Sequence, residues 1–103
     1  MAQEKVTVVA SFTAKPGMAE EVRGAIEAVV APTRAEAGCL NYDLHQSTED
    51  PSVFMLYENW VSKKDLDEHL AMPYLQDLIA KADGMLSEPI SIALYRMISE
   101  PAK

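Results

Sequence analysis

Two hydrophobic periods alternate along the chain, and their order predicts the fold. Residues 6–13 are rich in β-formers and place Val6, Val8, Ala10 and Phe12 on one strand face. Pro16-Gly17 ends that run. From Met18 the period turns helical, with Met18, Val22, Ala25, Ile26, Val29, Val30 and Thr33 on one stripe. Glu20 and Glu21 in the first turn and Arg34 in the last suit the helix dipole. Pro32 is expected to kink this helix near its end and Gly38 to stop it.

A second strand is predicted over 39–47, with Leu40, Tyr42 and Leu44 facing one way. Glu49-Asp50-Pro51 turns the chain into a third strand over 53–61, apolar on both faces as a central strand should be. Ser62-Lys63-Lys64-Asp65 resembles a capping box with Asp in the Glu position. The helix behind it carries Leu66, His69, Leu70 and Pro73 on one face. Pro73 breaks or restarts it, and Leu75, Leu78, Ile79 and Ala82 continue the stripe until Gly84. Glu88-Pro89 leads into a last strand with Ile90, Ile92 and Leu94 alternating.

The order β-α-β-β-α-β predicts an α+β, ferredoxin-like antiparallel sheet with its helices on one face, in a single domain over residues 1–103. Helices on one face leave the other bare. Val9, Val53, Met55, Tyr57, Tyr95 and Met97 are expected there, and an apolar patch of that extent predicts a homodimer packed sheet to sheet.

With 103 residues, 49% hydrophobic and 24% charged, the chain has the make-up of a soluble globular domain with little core to spare. A net charge of -7 argues against nucleic acid, whose phosphates would be repelled. No apolar run approaches the roughly 18 residues of a membrane span, and Met1-Ala2-Gln3-Glu4-Lys5 lacks a signal-peptide pattern. The expected location is the cytoplasm, with no membrane partner. Cys39 stands alone, so no internal disulfide can form, and it reads as a small buried hydrophobe.

The chemistry concentrates between Tyr57 and Tyr74. Glu58 should share a strand face with Phe54, Leu56 and Trp60. If that face looks at the helices, its carboxyl is poorly solvated and its pKa rises, as suits a general acid or base. The plainer alternative pairs it with a cation such as Arg96. His69 points inward on its helix, either as a satisfied core histidine or as a catalyst beside Glu58. Trp60 serves as core filler or as the flat wall of an aromatic pocket. Tyr74 either caps the pocket mouth or is a half-buried surface residue, and Tyr42 would face the same cavity from the neighbouring strand in one of the hairpin registers that the sequence leaves open. His45 has the opposite parity to Tyr42. Metal-ligand spacing, GxGxxG, phosphate loops and GxSxG are all missing, so an enzyme here is expected to work with no metal and no nucleotide cofactor.

Several segments, in order, resemble the antibiotic biosynthesis monooxygenase (ABM) domain family. They are Phe12-Thr13-Ala14-Lys15-Pro16-Gly17, Thr33-Arg34-Ala35-Glu36-Ala37-Gly38-Cys39-Leu40-Asn41-Tyr42, Asp50-Pro51, Glu58-Asn59-Trp60, and His69 with Pro73-Tyr74. The nearest likeness is to small bacterial quinol monooxygenases. The resemblance implies a dimeric α+β barrel and, for characterised members, cofactor-independent oxygenation of phenols or quinols. By position, Trp60 matches the pocket tryptophan of polyketide-oxidising members, and His69 the histidine of the common ExW…H…P pattern. Leu56 replaces a pocket asparagine, and Pro73-Tyr74 stands where many relatives read Pro-His. The asparagine, tryptophan and histidine of haem-degrading members correspond to Ala10, His69 and Ile79, which argues against haem degradation.

The combined expectation is a homodimer that oxygenates a small aromatic phenol or quinol with O₂ and no cofactor. Glu58 or His69 acts as the base, Trp60 stacks on the ring, Tyr42 or Tyr74 donates a hydrogen bond, and Leu56 lines the pocket. The alternatives are an isomerase using the same acid/base pair, and a non-catalytic ligand-binding or stress-response dimer.

Overall fold

A computed structural model describes residues 5–102; residues 1–4, read above for a leader, lie outside them, as does Lys103. The elements are β1 (Val6–Thr13), α1 (Ala19–Arg34), β2 (Cys39–Gln46), β3 (Val53–Trp60), α2 (Lys63–Leu70), α3 (Pro73–Ala82) and β4 (Ser91–Tyr95). The strands form one antiparallel sheet in the order β2-β3-β1-β4. This is the ferredoxin-like α+β arrangement. Pro73 restarts the second helical segment from its first turn, where a missing N–H leaves no hydrogen bond unmade. Ser62 caps α2: its hydroxyl accepts the Asp65 N–H at 3.3 Å and donates to the Asp65 carboxylate at 2.7 Å. Among the described residues no helix is long and apolar enough to cross a membrane.

Val8, Ala10 and Phe12 of β1 and Phe54, Leu56, Glu58 and Trp60 of β3 are buried together with Val22, Ile26 and Val29 of α1 and Leu75 and Leu78 of α3. Strand register sets these residues in rows. One row runs Tyr42, Glu58, Val8, Leu94, and the next Leu44, Leu56, Ala10, Ile92. On the opposite face Val9, Val53 and Met55 are half-buried, while Tyr57 and Tyr95 are exposed.

Four expectations change. A register shift between Cys39 and Asn41 pairs Cys39 with Trp60 and Asn41 with Asn59, so Leu40 is the extra residue. A bulge of this kind turns one side chain out of the alternation, and Leu40 is 55% exposed. Gly38 is not the stop of α1, which ends at Arg34 without a left-handed residue. Its role is steric: a Cβ there would lie 2.2 Å from Cγ of Asp65, the partner of the Ser62 cap in the first turn of α2. The last strand starts at Ser91 and ends at Tyr95, so alternation assigns no face to Ile90 or Met97. Finally, Ile92 and Leu94 share rows with buried residues yet remain 47% and 46% exposed, because the helices pack over β2 and the sheet centre and scarcely cover β4.

Candidate functional site

Glu58 sits near the C-terminal end of β3, between Val8 on one neighbouring strand and Tyr42 on the other. Neither is a cation, and among the described residues Glu58 forms no ion pair. The Arg96 pairing is therefore not made. Its one side-chain hydrogen bond comes from the Trp60 indole N–H, 2.9 Å from Oε1. Two residues along a strand share a face, which brings the two side chains together within the strand. Burial raises the Glu58 pKa from 4.5 to about 7, against the stabilising bond from Trp60.

His69 occupies the last turn of α2 and is 1% exposed. Its ring lies 4.5 Å from that of Trp60 at a tilt of 32°, and 5.4 Å from Tyr42, edge-on. Nδ1 is 2.9 Å from Oε2 of Glu36, in the turn between α1 and β2. Burial lowers the imidazole pKa, and the bond to Glu36 opposes that shift. The Tyr74 hydroxyl donates to the same Glu36 oxygen. Burial and this carboxylate push the Tyr74 phenol to about 12. Tyr42 is buried, and desolvation drives its phenol far up, so it stays protonated. Burial likewise lifts the Cys39 thiol to about 11, leaving it unreactive at neutral pH.

Glu58, His69, Tyr42 and Leu56 line one small, partly open space of about 30 Å³ between sheet and helices. Ala10 and Ile79 line it as well, so the three positions matched to the haem-degrading residues do converge, with His69 the one polar side chain among them. Trp60 and Tyr74 lie outside this lining: Trp60 holds Glu58 and stacks on His69, and Tyr74 holds Glu36. The space fits one or two waters, whereas a benzene-sized guest needs about 150 Å³. Its outer wall of Ile79, Ile90 and Ile92 also borders an open groove of about 550 Å³ beside α3 and β4. A ring that approaches Glu58 from the groove has to pass these isoleucines.

Glu36 is the residue the sequence reading misses. It sits in a turn with no periodic pattern, 33 positions from its histidine partner. The available signal was indirect: the turn after α1 and the end of α2 come together only once the sheet order is known. Among the described residues no cluster of His, Cys, Asp and Glu could hold a metal ion.

A family model described as "Antibiotic biosynthesis monooxygenase" matches residues 5–81. The chain belongs to the ABM family. It is similar to "Putative monooxygenase Rv0793" of Mycobacterium tuberculosis, with 33% identity over 95 residues, covering 92% of this chain and 93% of that one. The solved structure of Rv0793 superposes with a TM-score of 0.89 at 31% identity, covering 95% of this chain and 99% of that one. PA3566 of Pseudomonas aeruginosa gives 0.90 at 32% identity, covering 96% and 99%. The uncharacterized protein sll1783 of a Synechocystis strain is 26% identical over 96 residues, and this ABM chain spans 93% of its own length but 65% of that relative's.

Proposed function

We propose that this ABM protein is a cofactor-independent monooxygenase of a small phenol or quinol. The observation that carries the reading is the meeting of a buried carboxyl and a buried imidazole at one small, largely apolar space. Family membership and the relative named "Putative monooxygenase Rv0793" support it. An electron-rich phenol, once deprotonated, reduces O₂ itself. A phenol with a free para C–H plus O₂ gives a quinone and water, one oxygen atom in each, so the balance closes with no other oxidant. What remains for the protein is binding, proton transfer and exclusion of water. Tyr42, held as a phenol by its burial, donates a hydrogen bond to the substrate oxygen, and Leu56 packs against the ring. Trp60 fixes the Glu58 carboxyl rather than stacking on substrate.

The protein acts in the cytoplasm as a homodimer. The half-buried and exposed apolar residues of the open sheet face, Val9, Met55, Tyr57 and Tyr95 among them, support sheet-to-sheet pairing.

The test is oxygen consumption over a panel of quinols and naphthols in chelator-treated, flavin-free buffer. Turnover with at least one of them, reduced about 10²-fold or more by Glu58→Gln or His69→Ala, is the expected result. Uptake at the uncatalysed rate across the panel would overturn the proposal.

A further inference from the structure

Glu58 and His69 face one cavity, but only one of them is tied to a second carboxylate. We propose that Glu36 is the positioning residue of this site: it locks His69 with its proton on Nδ1, which makes His69 the proton acceptor and leaves Glu58 as the acid. The assignment rests on the reading that this cavity deprotonates its ligand, and it divides the roles within it.

A carboxylate only accepts hydrogen bonds, so a 2.9 Å contact from Glu36 Oε2 to His69 Nδ1 requires the proton on Nδ1. A neutral imidazole then carries its lone pair on Nε2, the nitrogen on the other side of the ring. Among the described residues Nε2 makes no hydrogen bond, and the His69 ring forms part of the cavity wall. Glu36 is itself fixed. Its side chain is 9% exposed, and the Tyr74 hydroxyl donates to the same oxygen.

The other ionisable groups around His69 are Tyr42 on β2 and Glu58 on β3, and neither is a cation. When Nε2 takes the proton, the substrate O–H bond breaks and an N–H bond forms. The new imidazolium lies against the Glu36 carboxylate, and the substrate is left as a phenolate. Glu58 in the role of base would instead leave the cavity without that ion pair. As a neutral acid it donates to the phenolate oxygen, where an ionised carboxylate would repel it. Two groups whose environments push their proton affinities in opposite directions, Glu58 upward and His69 downward, divide acid and base in the same sense.

The test reads the tautomer directly, by ¹⁵N NMR of histidine-labelled protein without substrate near pH 7.5. In the unmodified protein His69 should show a protonated Nδ1 and an unprotonated Nε2. Tyr74→Phe, which leaves the Glu36 contact in place, should keep that pattern. Glu36→Leu, which removes the acceptor at similar volume, should lose it and move His69 toward the Nε2-protonated form. In the oxygen assay Glu36→Leu should lower kcat about 10²-fold with KM little changed. An Nε2-protonated His69 in the unmodified protein overturns the proposal, as does a Glu36→Leu spectrum that keeps the original tautomer. If Glu36→Leu fails to fold, the unmodified and Tyr74→Phe spectra still decide. Because this readout needs no turnover, the monooxygenase reading can fail in the oxygen assay while the tautomer assignment stands or falls separately.

Discussion

Replacing Glu58 by glutamine should make the protein more stable at alkaline pH, and the size of the gain can be worked from the site. The carboxyl rises from 4.5 to about 7 because it is 4% exposed between Val8 and Tyr42 with no cation beside it. Between those pH values the folded protein holds a proton that the unfolded chain has released. Stability from this group therefore falls as pH rises through that window, and the loss is complete above about pH 7. At roughly 1.4 kcal/mol per pH unit, the loss is about 3 kcal/mol. Glutamine does not titrate, and its amide oxygen can still accept the Trp60 N–H. Urea unfolding of both proteins at pH 4.5, 6 and 8, at one protein concentration, isolates the effect, because His69 and Cys39 titrate in both. The variant's midpoint should gain on the unmodified protein by on the order of 1–3 M between pH 4.5 and 8, with similar slopes. Midpoints that run parallel across this range would refute the claim that Glu58 is buried without charge compensation.

Three further outcomes follow from other parts of the fold. Gly38→Ala should destabilise by about 1–3 kcal/mol as its methyl meets the Asp65 side chain, and pairing it with Asp65→Ala should restore part of that in a double-mutant cycle followed by urea unfolding. Met55→Asp should turn a dimer into monomers, or unfold it, in sedimentation at micromolar concentration, because the open sheet face would then bury an unpaired charge; an unmodified protein that sediments only at 11.3 kDa would contradict the homodimer. Titration with haemin should give no tight stoichiometric complex, since Ala10 and Ile79 offer no ligand beside His69, and a stable haem spectrum that decays with reductant and O₂ would reverse that view.

The strands and the faces of their central residues were legible in the sequence because burial imposes a strict period. Val8, Ala10 and Phe12 alternate, and Glu58 inherits its inward aspect from Phe54, Leu56 and Trp60. His69 was legible for a similar reason, through its spacing from Leu66 and Leu70 on α2. Features that depend on how distant segments meet left no such trace. The bulge that turns Leu40 outward is a register event between two strands. Gly38 is small because Asp65 passes over it, 27 residues later in the numbering. Glu36 becomes a partner of His69 and Tyr74 only when the α1–β2 turn closes over the end of α2 and the start of α3. Trp60 was placed on the correct strand face, yet its distance from the cavity depends on His69 packing between them, which no periodicity encodes.

The most direct measurement is turnover of a quinol or naphthol under ¹⁸O₂ with purified, metal- and flavin-free protein, the product being read by mass spectrometry. The account predicts one labelled oxygen atom in each quinone formed, at a rate that falls about 10²-fold in His69→Ala. Unlabelled product, or a rate the same with and without the protein, would contradict it.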